Sequence, residues 1–150
     1  SAVGEANVVE KMKKVKAVIG GEGSGGVIYP EIHFGRDALV GIALTLQHLT
    51  EFGGTLSELK NSLPSYFIEK RKIDLPETDT DKIMNWLIDE FKNESINTDD
   101  GLRVDFGDHW VHFRKSNTEP IIRIITEGKS KEAAVKLIEK YLLKINSLIK

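Results

Sequence analysis

Two short stretches of the sequence carry side chains that could recognise a polar ligand. In Gly20-Gly21-Glu22-Gly23-Ser24-Gly25-Gly26, one carboxylate and one hydroxyl stand among five glycines. With so little side-chain bulk nearby, Glu22 and Ser24 can hydrogen-bond vicinal sugar hydroxyls while the backbone approaches closely. The same letters satisfy G-x-G-x-x-G, the fingerprint of dinucleotide-binding domains. That reading fails on context. Val27-Ile28-Tyr29-Pro30 follows where a helix should open, and no acidic residue ends a second strand at the proper distance. A bare flexible turn is the alternative, and it gives Glu22 and Ser24 no role.

The second stretch is Arg114-Lys115-Ser116-Asn117-Thr118-Glu119-Pro120. A turn rich in hydroxyls, entered from a strand that ends in arginine, can aim backbone N–H groups, Ser116, Asn117 and Thr118 at one point. Arg114 would add a charge-assisted, bidentate clamp. A phosphate is the natural guest. A polar hairpin turn beside an incidental basic strand end explains the same residue types, and spacing alone does not decide between the two.

The elements that must position these stretches can be read from periodicity. Val8, Val9 and Met12 have helical spacing, and Val15 to Ile19 alternates like a strand, so a helix feeding a strand is expected before a shapeless glycine loop. Val27 to Tyr29 reads as a short strand. Leu39, Ile42, Ala43, Leu46 and Leu49 form an apolar helical stripe that Asp37 can cap and Gly53-Gly54 stops. Thr55-Leu56-Ser57-Glu58 is a capping box opening a short helix that ends before Pro64, which marks the expected domain boundary. Beyond it the pattern predicts a strand over 66–73, a helix over 81–91 and a hairpin over 102–106 and 110–114. A strand over 121–125 and an amphipathic helix over 131–149 complete it. The second half therefore reads β-α-β-β-β-α, an α+β layer of antiparallel sheet and helices.

Composition narrows the function classes. Apolar and charged residues make up 40% and 29% of the 150 residues, as in soluble globular domains. The formal net charge of -2 gives no basic excess for nucleic acid. With no cysteine, disulfides and thiolate chemistry are absent. The longest apolar runs fall well short of the ~20 residues that cross a bilayer, and no signal-peptide pattern opens the sequence, so neither nucleic acid nor membrane is expected as a partner and the cytoplasm is the expected location.

Taken together, the two stretches resemble known motifs. Residues 114–120 resemble the phosphate-binding loop in the last domain of α-D-phosphohexomutases, and residues 20–26 resemble that family's sugar-recognition loop. Val3-Gly4-Glu5, with Val8-Val9-Glu10-Lys11-Met12 behind it, is similar to the segment just upstream in phosphoglucosamine mutases and related phosphomannomutases. The motifs occur in family order over nearly the whole chain. The resemblance implies a C-terminal part. Residues 1–64 would be the end of an α/β third domain, and 65–150 a phosphate-binding fourth domain with a TATA-binding-protein-like fold. It also implies a hexose phosphate substrate. Glu22 and Ser24 would hold sugar hydroxyls, while Arg114, Ser116, Asn117 and Thr118 would hold the phosphate not being transferred. In the family a phosphoserine and Mg2+ perform the transfer through a bisphosphorylated sugar. Neither a serine-histidine-asparagine loop nor an Asp-x-Asp-x-Asp-Arg metal loop occurs here. No catalytic residue and no metal ligand are therefore expected in this chain, whose partners include missing N-terminal domains of the same polypeptide. The truncated domain is expected to fray or to self-associate.

One departure from the family matters: many relatives have histidine where this sequence has Gly26, and that histidine is proposed there as an acid or base. His33, seven residues on, could substitute but reads first as structural. His109 and His112 would point to opposite faces of a strand and are read as surface or edge residues, so shared metal coordination is not expected. His48 is expected to be partly buried, and Trp86 and Phe91 are assigned to the core. Asp79-Thr80-Asp81 is read as helix capping. Lys129, Lys131, Lys136 and Lys140 read as a solvated helix face, with the first two available to add positive potential near the phosphate loop. Val3-Gly4-Glu5 leans towards phosphoglucosamine mutases and Asn117 towards phosphomannomutases. A stand-alone sugar-phosphate or anion-binding module is the rival, distinguished by whether the gene continues upstream into the two missing loops.

Overall fold

The computed structural model describes residues 1–23, 25–75, 80–116 and 118–149. It divides into two compact units, Ser1–Pro64 and Ser65–Lys150. Among the described residues no helix is long and apolar enough to cross a membrane.

In the first unit, α1 (Glu5–Val15) is followed by a two-stranded antiparallel hairpin, β1 (Gly20–Glu22) and β2 (Gly26–Ile28), then by α2 (Ala38–Phe52) and α3 (Leu56–Ser62). Two sequence expectations are corrected. Val15 to Ile19 is no strand: α1 runs through Val15, and Lys16 closes it in the left-handed conformation at φ 55°. The glycine stretch is not a shapeless loop either. It forms the hairpin itself, with Glu22 opposite Gly26 and the Gly25 N–H donating to the Glu22 carbonyl. At position 20 the missing side chain leaves room for the buried Met12, whose sulfur would lie 2.2 Å from a Cβ there and would have to shift.

The caps of α2 and α3 match their sequence signals. Asp37 accepts from the Leu39 and Val40 N–H groups, and Gly53 ends α2 at φ 72°. Thr55 and Glu58 form a reciprocal capping box. Among the described residues of this unit the buried apolar side chains are Met12, Ile28 and Leu59. No residue of α2 is fully buried, and its stripe residues Leu39, Ile42 and Leu46 are exposed. His48 is exposed as well, contrary to expectation, because the apolar stripe beside it is itself uncovered.

The second unit contains β3 (Phe67–Asp74), α4 (Thr80–Glu90), β4 (Ser95–Asn97), β5 (Leu102–Asp105), β6 (Trp110–Lys115), β7 (Ile121–Gly128) and α5 (Lys131–Ile149). Its sheet is antiparallel throughout, in the order β3-β7-β6-β5-β4. The sequence predicts four strands here, and the structure has five among the described residues. β4 escapes a periodicity search because it has three residues and only Ile96 faces the core. Alternation divides the sheet: Ile122, Ile124, Val111, Phe113, Leu102 and Val104 pack against α4 and α5, with Leu87, Phe91, Ile138, Tyr141 and Ile145 opposite them. Phe91 is in the core as expected, and Trp86 packs against its margin. The other face of the sheet carries Arg123, Arg114, His112 and Arg103.

Candidate functional site

The 114–120 stretch is the connection between β6 and β7. The turn is closed by the Ser116 N–H donating to the Ile121 carbonyl (3.0 Å) and the Ile121 N–H to the Glu119 carbonyl (2.8 Å). Within it the Thr118 N–H lies 3.4 Å from Ser116 Oγ, and the two hydroxyl oxygens are 3.3 Å apart. Ser116 and Thr118 are thus brought together at the turn, and Asn117 lies outside the described residues.

Arg114 stands next to last in β6. Its Nε makes a 3.1 Å ion pair with Asp100 Oδ1, which holds one edge of the guanidinium. The Asp100 segment is anchored in turn, since His112 Nε2 is 2.5 Å from the Asp100 carbonyl oxygen. His112 is therefore more than an edge residue: half-buried on β6, it fixes the loop that orients Arg114. Gly101 lets this loop close, because a Cβ there would lie 2.3 Å from the Phe113 carbonyl. A cleft beside it is lined by Asp81, Asp100, Gly101, Arg114 and Lys115, with Lys115 Nζ 2.7 Å from Asp81 Oδ1. Asp81 falls in the first turn of α4, and the rest of the acidic stretch before Thr80 lies outside the described residues.

Sequence reading missed Arg123. The register places it directly opposite Arg114, and Lys72 directly opposite Arg123 on the next strand. Arg123 is exposed. The signal was available: the positions pair symmetrically about the turn, 115 with 122 and 114 with 123. Lys129 and Lys131, by contrast, cannot add potential near the turn. β7 begins at the turn and its eight residues carry the chain roughly 24 Å away before Lys129 is reached.

In the first unit Glu22 ends β1 and is mostly buried. Its Oε1 accepts the Gly4 N–H at 2.9 Å, and its Oε2 lies 3.6 Å from Arg36 Nη1. Arg36 also donates from its backbone N–H to Glu5 Oε1 (3.0 Å) and from Nε to Glu5 Oε2 (2.8 Å). These bonds, the backbone N–H first, hold the Glu5 carboxyl below its ordinary range. Gly4, Glu5 and Arg36 are thus further residues of the polar cluster that motif reading did not assign. Gly4 needs its glycine, with φ at 119°. Ser24 lies outside the described residues. His33 donates to Asp37 Oδ2 at 3.0 Å, so the imidazole is tied to the N-cap of α2. The backbone N–H of Val40, then this bond, hold the Asp37 carboxyl below its usual range.

Among the described residues no group of three or more His, Asp or Glu side chains is placed to hold a metal ion.

Comparison with known proteins finds matches along nearly the whole chain. Residues 1–67 match the domain model for phosphoglucomutase/phosphomannomutase, alpha/beta/alpha domain III, and residues 71–144 match the C-terminal domain of the same family. The chain is 36% identical to a probable phosphoglucosamine mutase of Pyrococcus horikoshii over 99% of its own length and 34% of that protein's. It is 38% identical to a phosphoglucomutase/phosphomannomutase of Thermococcus kodakarensis over 91% of its length and 30% of the relative's. A crystal structure of a phosphoglucomutase/phosphomannomutase family protein from Burkholderia thailandensis superposes with a TM-score of 0.72 at 26% identity, covering 97% of this chain and 31% of that one. The chain spans about a third of the length of these relatives.

Proposed function

Because the chain belongs to the phosphoglucomutase/phosphomannomutase family, spanning its domain III and C-terminal domain, we propose that it is the substrate-binding part of an intramolecular phosphotransferase that interconverts hexose 6-phosphate and hexose 1-phosphate. The observation that carries this reading is the pairing of Arg114 with Arg123 at the mouth of the 116–120 turn. Two arginines at directly opposed positions of neighbouring strands, one of them with a single guanidinium edge tied to Asp100, suit a dianionic phosphoryl group better than any neutral ligand.

In this reading Arg114, Ser116, Asn117, Thr118 and Arg123 grip the phosphate that stays on the sugar. Glu22 and Ser24 accept and donate to ring hydroxyls. Carboxylate and hydroxyl contacts of that kind tolerate a sugar presented in either direction, which a reaction at both ends of the hexose requires. These residues supply positioning, which lowers the barrier by fixing the reacting phosphate against its acceptor. The family reaction also uses a phosphoserine and Mg2+; the sequence contains neither a serine-histidine-asparagine loop nor an Asp-x-Asp-x-Asp-Arg loop, and among the described residues no carboxylates form a ligand set. In this reading the nucleophile and the metal belong to other parts of the full-length polypeptide, and no step through them is assigned to these residues.

The test is to assay the full-length protein with glucosamine, mannose and glucose phosphates. Turnover of at least one supports the reading and names its substrate. Turnover of none, with the protein folded and Mg2+ present, overturns it.

A further inference from the structure

Gly26 is an unusual place for glycine. It pairs with Glu22 inside a β-hairpin, and its φ is not among the positive ones, so its backbone is open to any residue. The reason for glycine lies in the side-chain space. A Cβ on residue 26 would stand 2.2 Å from Arg36 Cδ and 2.6 Å from Arg36 Cγ. The stem of Arg36 fills the volume that any other residue at position 26 would need.

From that volume the Arg36 guanidinium reaches both carboxylates of the cluster, at 2.8 Å to Glu5 and 3.6 Å to Glu22. Glu22 needs such a hold. It sits at the end of a three-residue strand in a two-stranded hairpin, which by itself cannot fix a long side chain. One carboxylate oxygen is fixed by Gly4 and the other faces Arg36. Each oxygen keeps acceptor capacity for a ligand hydroxyl.

We infer that Arg36 is the positioning residue for Glu22, and that Gly26 and Arg36 act as one unit in which the missing side chain of the first admits the second. The inference rests on the reading of Glu22 as a sugar-hydroxyl acceptor. It assigns no proton transfer to either residue. It also replaces His33 as the residue of interest near the hairpin, because His33 bonds Asp37 whereas Arg36 contacts Glu22.

The experiment uses the full-length protein and whichever hexose phosphate it turns over. Arg36→Gly should raise KM for that substrate by about tenfold or more, the scale of losing a charge-assisted contact. Gly26→Ala should give the same change by expelling Arg36 from its place. The double variant should be no worse than either single one, since both remove the same interaction. Inhibition by inorganic phosphate, which reports the Arg114 turn, should be unaltered in all three, and their circular dichroism spectra and melting curves should match those of the unmodified protein, which damage to the fold of the first unit would not allow. Arg36→Gly with KM within twofold of the unmodified protein overturns the inference, as do effects of the two substitutions that multiply. An unmodified protein that turns over no hexose phosphate overturns the proposed function and this inference together, so the two failures are told apart.

Discussion

Phe113, Ile122 and Ile124 have no solvent exposure, and they flank Arg114 and Arg123 along their strands. Glu22 has less beneath it, since among the described residues of its unit the buried apolar side chains are Met12, Ile28 and Leu59. Arg114 and Arg123 are thus aimed by a sheet that packing holds in register. Glu22 is aimed by polar contacts from Gly4 and Arg36. Precision in a binding site can come from the core or from a polar network. The two should fail differently: the first through loss of folding, the second through loss of a charge at constant fold.

The largest effect concerns chemistry itself. The isolated 150-residue chain should show no mutase turnover, because positioning groups cannot replace a nucleophile. A coupled assay that detects hexose phosphate conversion by the pure chain would remove the division between binding here and chemistry elsewhere.

Next in size is a contrast in stability. Phe113→Ala deletes a ring stacked 6.1 Å from Phe91 and set edge-on 5.4 Å from Tyr141, and should cost about 3–5 kcal/mol in denaturant unfolding. Leu46→Ala, on the uncovered face of α2, should cost less than about 0.5 kcal/mol. Equal losses would show that α2 is covered and the comparison mistaken. Smaller again, and on affinity rather than folding, Arg114→Ala in the full-length protein should weaken sugar-phosphate binding by about 1.5–3 kcal/mol at unchanged melting temperature. Arg123→Ala should act in the same direction, and calorimetric titration of both variants would tell a paired clamp from a lone strand-end charge.

A slighter effect follows from pH. The Asp37 carboxyl is held below its ordinary value of 3.8 by the N–H groups it caps and by His33. A depressed carboxylate contributes stability above its unfolded value and loses it as pH falls through the folded one. Helical signal from α2 should therefore decline somewhat below pH 4, and Asp37→Ala should flatten that decline. An identical acid titration in the variant would detach the cap from α2.

Much of this was legible because it is local. The caps Asp37, Gly53 and Thr55-Glu58 depend on a few adjacent residues, and the 131–149 helix announces its own period. What escaped depends on partners distant in sequence. Arg123 matters only once β6 and β7 are placed in register, and Gly26 is explained only by Arg36, ten residues on. The glycine hairpin was hidden because sheet pairing overrode the poor strand propensity of glycine. The expected strand over Val15 to Ile19 failed because Lys16 took a left-handed cap that favours glycine or asparagine, a choice no periodicity reveals.

The smallest effect expected is the absence of one. All the residues of the main core cluster, from Ile73 to Ile145, belong to the second unit. Removing residues 1–64 takes nothing from that cluster, so the unfolding midpoint of residues 65–150 should stay within a few degrees of the longer chain's main transition. The short form should also be monomeric. Its edges are β3 and β4, the first studded with Glu69, Lys70, Arg71 and Lys72 and the second only three residues long, and both features discourage edge-to-edge pairing. The longer chain keeps the exposed Leu39, Ile42 and Leu46 of α2, an apolar stripe of the kind that drives association. Light scattering behind size exclusion, with a thermal melt of both forms, decides it. A short form that fails to fold, or one that dimerises while the long form does not, would place the weak region in the wrong half of the molecule.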